Sequence, residues 1–285
     1  MAELVVLGTA QDGGLPHAGC RCPHCERARR EPAFGRTPAA VGIRSDNTTV
    51  LIDATSAFAS QIHLLQSEAR DNEAGGRYGP PPMVLLTHAH TGHYVGLWQL
   101  DRSVLAARAV RVLGPPRTIA LLAGNEPWRQ MVIDGFMTLA PLALDEPFEV
   151  VPEVRVTPLP VPHRSEWGAD TVAYRIDGPE RSVLYLPDID AWRQWERDVA
   201  EVVASVDVAL LDGTFLEPFS RPGVPHPPVR ESLDLLEAVA RNGQTRILFT
   251  HLNHTNPLVD PESAEAADVR ARGFGVTAEG EIIPL

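Results

Sequence analysis

The sequence predicts an α/β protein built as a layered sandwich. Three observations predict it. Short apolar runs of strand type alternate with helix-type periodicity, several of these runs end in His or Asp, and 285 residues with 44% hydrophobic content suffice for one large core. Polar residues at the C-terminal ends of apolar strands are where α/β folds build their sites. No internal repeat, low-complexity segment or long linker divides the chain, so residues 1–285 are expected to form one domain.

The elements follow in order. Val5–Leu7 reads as a buried strand entering the turn Gly8-Thr9-Ala10-Gln11-Asp12-Gly13-Gly14. That turn lacks the GxGxxG spacing, and no helix follows directly, so it is not a dinucleotide fingerprint. A short basic helix is expected over about His24–Arg30. Strands at about Ala40–Arg44 and Thr49–Asp53 flank the hairpin-like turn Ser45-Asp46-Asn47-Thr48. Ser56–Ser67 carries helical apolar periodicity, and a Gly- and Pro-rich loop, about Asp71–Pro82, leads to the strand Met83–Leu86. A helix start is expected at His93–Leu100, a strand at Val110–Leu113 and a helix after Pro115-Pro116.

The middle section, about Trp128–Val156, reads as short-stranded and Pro-rich. Strands follow at about Val154–Leu159, Thr171–Ile176 and Ser182–Leu186, then a Trp-bearing segment, Asp190–Ala200. The strand Val206–Leu211, the loop Phe215–Pro228, the helix Val229–Arg241 and the strand Arg246–Thr250 complete the reading.

A formal charge of −12 argues against nucleic-acid or anionic-membrane partners, because phosphate neutralisation needs Lys and Arg. No apolar run approaches the ~20 residues of a membrane span. Met1–Gly8 lacks a basic region and a cleavage site, so it reads as a first strand and not a signal peptide, and a cytoplasmic location is expected.

The richest stretch is Leu85-Leu86-Thr87-His88-Ala89-His90-Thr91-Gly92-His93. Imidazole is the commonest metal ligand, and three clustered after a strand exceed what a core or a solvated face requires. The His88/His90 pair can aim two rings at one ion, and His93 can serve that ion or a neighbour. Further candidates sit at strand ends: His163, Asp188 and His251. The only cysteines, Cys20, Cys22 and Cys25, fall within six residues. Such an odd, tight set is a poor disulfide framework and points to a tetrahedral zinc that needs one more ligand.

The order and spacing of these residues resemble the metallo-β-lactamase superfamily along nearly the whole chain. Leu7–Gly14, the Cys-x-Cys-x-x-Cys loop, Asp212-Gly213-Thr214-Phe215 and Asn253-His254-Thr255-Asn256-Pro257 resemble the coenzyme PQQ synthesis protein B group. The segment Gly19–Arg29 is also similar to the cysteine loop of the phosphodiesterase PhnP. These resemblances imply an αββα four-layer sandwich with a metal site at the loop edges of its sheets. They imply a first ion held by His88, His90 and His163, a second held by His93 and His251, and Asp188 bridging. For the cysteine zinc, which would be structural, they imply a distant histidine, and His226 is preferred over the adjacent His24. Asp53 and Asp212 are expected to support the ligands by hydrogen bonding.

Gly92 is the one departure, because the superfamily motif has Asp there. Glycine neither ligates nor accepts a proton. The chain is therefore expected to bind one ion, to rebuild the second site with Asp12 or His254, or to keep a vestigial site. The expected chemistry is metal-assisted hydrolysis of an ester, amide or phosphodiester, with zinc, iron or manganese at the histidines and Asp188 or Asp12 accepting the proton. An iron-dependent hydroxylase of PQQ biosynthesis and a non-catalytic carrier are the rival readings. The expected partner is a small-molecule or peptide-derived substrate, with a homodimer left open as the assembly.

Overall fold

The computed structural model describes residues 2–45, 48–67, 79–165, 167–219 and 223–285. The centre of the turn expected at Asp46-Asn47, most of the expected Asp71–Pro82 loop and part of the Phe215–Pro228 loop lie outside the described residues.

Among the described residues the strands form two seven-stranded sheets. The first contains β1 (Ala2–Gly8), β2 (Ala40–Ser45), β3 (Thr48–Ile52), β4 (Met83–Leu85), β5 (Val110–Gly114) and β6 (Met137–Pro141) in that order across the sheet. The second contains β7 (Phe148–Val151), β8 (Val154–Pro160), β9 (Val172–Asp177), β10 (Ser182–Leu186), β11 (Val208–Asp212), β12 (Arg246–Thr250) and β13 (Gly275–Val276), again in order. The last strand, β14 (Ile282–Pro284), returns to pair with β1. From β3 to β6 and from β10 to β13 the pairing is parallel. Their C-terminal ends therefore emerge together.

Why the strand runs are continuously apolar is visible in β1. Leu4 and Val6 enter the core between the sheets, beside Ile43, Ile52, Leu85, Tyr174 and Leu210. Val5 and Leu7 face the other way, onto Phe58, Ile62 and Leu65 of α2 (Phe58–Gln66). Side chains alternate with period two, so a strand buried on both faces shows no polar alternation. On the second sheet, Leu211, Ile247 and Phe249 pack outward against Val203, Leu233 and Val269 of the covering helices. Helix, sheet, sheet and helix make the four layers. Among the described residues no helix is long and apolar enough to cross a membrane.

Three expectations on local structure are corrected. Thr91–Tyr94 is a single α turn that becomes a 3-10 helix at Val95–Leu100. The cause is a close approach: the Gly96 amide donates to the Ala54 carbonyl at 2.8 Å, and a Cβ at Gly96 would sit 2.1 Å from the Thr55 carbonyl oxygen. In the middle section, expected to be short-stranded, Trp128–Ile133 is a helix that buries Trp128 and Met131 three residues apart on one face, whereas Pro116–Gly124 is the helix expected after Pro115-Pro116. The helix expected over Val229–Arg241 is two, Val229–Leu235 and Glu237–Asn242, broken where Leu236 leaves helical backbone angles.

Candidate metal centre

The C-terminal ends of the strands deliver the site. β3 runs into Asp53, β4 into Thr87-His88, β8 into His163, β10 into Asp188, β11 ends in Asp212, and β12 runs into His251. Two hydrogen bonds close the sheets on one another at this edge. The Tyr174 hydroxyl donates to the Leu86 carbonyl at 2.6 Å, and the Val172 amide donates to the Thr87 carbonyl at 2.9 Å.

Two donor sets converge there. In the first, His90 Nδ1 lies 3.0 Å from His88 Nε2 and 3.1 Å from His163 Nε2. In the second, His93 Nε2 lies 3.1 Å from Asp12 Oδ1 and 3.3 Å from Asp188 Oδ2. His251 Nε2 completes it, 3.5 Å from Asp12 Oδ1 and 3.3 Å from Asp188 Oδ2. Asp188 faces both sets, with Oδ1 3.7 Å from His163 Nε2 and Oδ2 3.9 Å from His88 Nε2. Four ligands roughly 2.0–2.1 Å from one cation stand roughly 3.3 Å apart, so the residues present fit metal ions. Asp188 Oδ2 and His251 Nε2 are buried and make no well-directed hydrogen bond among the described residues. That is costly for buried polar atoms unless another partner converges on them.

The rings are fixed from behind, which sets which nitrogen faces the site. Behind His88 Nδ1 stands Thr87 Oγ1 at 2.9 Å, and behind His251 Nδ1 stands Thr214 Oγ1 at 2.9 Å. His93 Nδ1 donates to Asp53 at 2.8 Å, and His163 Nδ1 faces Asp190 Oδ1 at 2.9 Å. Asp53 also accepts from the Thr87 amide and hydroxyl, holding the motif loop as expected. Asp53 and His251 both adopt left-handed backbone, at φ 67° and 58°. Strain of that kind concentrates where geometry serves a site. Asp190 was not singled out by sequence. Its only signal is its place two residues past Asp188. Replacing Asp53 by Asn is expected to weaken cation binding at His93 by about 10–100-fold, read by competition with a chromophoric chelator.

The electrostatics suit cation capture. Burial pushes His88 well below its usual value and His90 down to about 4, so both are neutral near pH 7. Burial alone would raise Asp12 and Asp188, but the His93 and His251 rings outweigh it and hold both well below the usual carboxylate range. Burial works against a charge on His93, yet Asp53, Asp12 and Asp188 keep it protonated well above its usual range. An ion arriving at His93 must displace that proton, so its affinity is expected to rise with pH across about pH 6 to 8. Calorimetry in buffers of different ionisation enthalpy measures the release. A pH-independent affinity with no proton released would refute it.

The cysteines assemble elsewhere. Cys22 Sγ and Cys25 Sγ each lie 3.6 Å from His254 Nδ1, and Cys20 completes the group. Thiolate and imidazole ligands on one tetrahedral zinc stand roughly 3.6 Å apart. Burial, with Cys22 and Cys20 beside it, pushes the Cys25 thiol up to about 12, so ionisation there depends on a cation. The expectation of His226 as fourth member is thereby corrected. After β12 the chain turns at His251 and Asn253, so His251 faces the cleft while His254 faces α1 (Pro23–Arg30). His226 instead joins the cleft group, its Nδ1 held by Asp212 at 2.7 Å and 3.9 Å from Asp188 Oδ1. Asp212 supports this ring and the Thr214 hydroxyl behind His251. His254 is thus spent on the cysteines, and Asp12 alone of the two candidates enters the cleft.

A β-lactamase superfamily domain model matches residues 48–252. Coenzyme PQQ synthesis protein B of Methylobacterium radiotolerans is 30% identical over 308 residues, covering 99% of this chain and 100% of that protein. The chain belongs to the coenzyme PQQ synthesis protein B family of the β-lactamase superfamily. The homologue of Xanthomonas campestris pv. campestris is 29% identical over 309 residues, covering 99% of this chain and all of that protein. A crystal structure of Zn(2+)-bound PqqB from Methylobacterium extorquens superposes with a TM-score of 0.80 at 27% identity, covering 99% of this chain and 100% of that one. A diphosphatase of the PhnP family shares the fold, with a TM-score of 0.71 at 20% identity over 100% of this chain and 98% of that one. The αββα sandwich of the superfamily is therefore the fold of this chain, and members of this family carry it from end to end.

Proposed function

We propose that this protein is a metal-dependent hydrolase acting on an ester, amide or phosphodiester-type bond of a small-molecule or peptide-derived substrate. The observation that carries it is the pair of convergent donor sets that Asp188 faces within the cleft. His88, His90 and His163 are assigned to one ion, and His93, His251 and Asp188 to its neighbour. A divalent cation bound there lowers the pKa of a coordinated water toward neutrality and stabilises negative charge on the attacked group.

The chain's own groups do the rest. Asp188, an anion held in place among the imidazoles, orients the attacking water and accepts its proton. Asp12 offers a second carboxylate at the solvent-facing side. His226 sits opposite with Nδ1 committed to Asp212, leaving Nε2 for the leaving group. Burial opposes its charge, but Asp212 and Asp188 outweigh it and raise its pKa, which favours the protonated ring that a proton donor needs. The test is hydrolysis of bis-p-nitrophenyl phosphate and of a lactone by protein loaded with zinc, manganese or iron. His226→Ala is expected to slow poor leaving groups about 100-fold or more and good ones little. No turnover of either substrate with any of the metals would overturn the reading.

A second reading has its own support. His93, His251 and one carboxylate are a two-histidine, one-carboxylate set, which suits Fe(II) and oxygen chemistry. The relatives are named for the synthesis of coenzyme PQQ, and on this reading the chain would supply an oxygen-dependent hydroxylation to that synthesis. Substrate-dependent oxygen uptake by anaerobically iron-loaded protein would select it over hydrolysis.

A further inference from the structure

We infer that the carboxylate of the second cation site has been transposed in this chain, from the second residue of the short helix after the histidine motif to Asp12 in the loop after β1. This rests on the reading of the histidine cluster as a metal centre. Its argument is steric. A Cβ built on Gly92 would lie 2.3 Å from Asp12 Cγ, 2.5 Å from Asp12 Cβ and 2.7 Å from Asp12 Oδ1. Real Cβ atoms essentially never approach so closely. The space a side chain at position 92 would fill is therefore taken by the Asp12 carboxylate, which stands 3.1 Å from His93 Nε2 and 3.5 Å from His251 Nε2. One carboxylate fits, and residue 12 supplies it. Gly92 is then a requirement of the site and not a lesion in it.

The loop that carries Asp12 is built to hold it there. The Gln11 amide donates to the Leu252 carbonyl at 2.9 Å, and the Leu252 amide donates to Thr9 at 2.8 Å. The Asn253 side-chain amide donates to Gln11 Oε1. Gly14, at φ 65°, closes the turn through its amide to the Gln11 carbonyl at 2.8 Å. Asp12 is also the more exposed of the two carboxylates that face His93 Nε2. The Asp12 side chain is 38% exposed, against 3% for Asp188. The second site therefore carries a carboxylate at the mouth of the cleft, in contact with both solvent and an incoming substrate.

The experiment is a position swap read by ion content. Wild type, D12N, D12G, G92D and D12G/G92D, all with the cysteine zinc in place, are titrated with Mn2+ by equilibrium dialysis with elemental analysis. Electron paramagnetic resonance reports whether bound manganese ions are magnetically coupled. Wild type is expected to show a coupled pair. D12N and D12G are expected to weaken the second ion about 100-fold or more and to lose the coupled signal. G92D alone should lower the unfolding temperature through crowding and like charge, and D12G/G92D should regain the second ion. Two results would overturn the inference. One is retention of the coupled pair at wild-type affinity by D12N and D12G, and the other is binding by D12G/G92D no better than by D12G, with its cysteine zinc and native circular dichroism kept. Because the readout is ion count and coupling, failure of hydrolysis leaves the swap decided, and failure of the swap leaves hydrolysis at the first ion decided separately.

Discussion

His90→Ala is expected to empty the first donor set and to lower turnover by on the order of a thousandfold or more, whatever the reaction. The ring is the hub of that set, with Nδ1 within 3.1 Å of both His88 Nε2 and His163 Nε2. It also differs from its neighbours, because His88, His93, His163 and His251 turn Nε2 inward and keep Nδ1 against a supporting oxygen. A catalytic cation supplies several kcal/mol of transition-state stabilisation, and each 1.36 kcal/mol is tenfold in rate. The fold should survive, since His90 is partly exposed in the cleft and belongs to no core cluster. Elemental analysis should still find zinc at the cysteines. Activity within tenfold of wild type would remove His90, and the first donor set with it, from the mechanism.

Cys25→Ser is expected to act on stability. Cys25 is fully buried, lies 3.6 Å from His254 Nδ1 and accepts the His17 amide at 3.3 Å. It also belongs to the core that carries the helices of the second sheet. Loss of a structural metal falls among the largest single-residue effects, beyond about 4 kcal/mol, against a typical total of about 5–15 kcal/mol. For a chain of this size that amounts to a fall in Tm on the order of 10 °C or more. Differential scanning calorimetry with and without a zinc chelator checks it. Wild type treated with chelator should unfold like the variant, and the variant itself should ignore the chelator. A variant with wild-type Tm would mean that the cysteines bind no structural ion.

Much of the site was legible because it is local or lies at strand ends. His88, His90 and His93 are fixed by spacing along one loop. His163, Asp188 and His251 each follow an apolar run, and β8, β10 and β12 run the same way across the sheet, which brings those ends to one edge. What could not be read was which loop histidine goes where. His226 and His254 both lie beyond strands, and their partners are chosen by a turn at His251 with positive φ and by the carboxylate of Asp212. Neither has a signature in spacing. The short helix at Trp128–Ile133 was missed because two buried side chains make a weak period. Gly92 was legible as a loss, but its cause lay 80 residues away in Asp12, which only packing reveals.

The turn from His251 to His254 has a consequence for how the protein matures. It presents one imidazole to the cleft and, three residues later, another to the thiols, while Leu252 and Asn253 between them grip the loop of Asp12. A zinc held by the cysteines would therefore pin the segment that carries His251 and grips the loop of Asp12. Filling of the thiolate site would in that case tighten the cleft as well. Scarcity of zinc would then silence the cleft even where manganese or iron is plentiful.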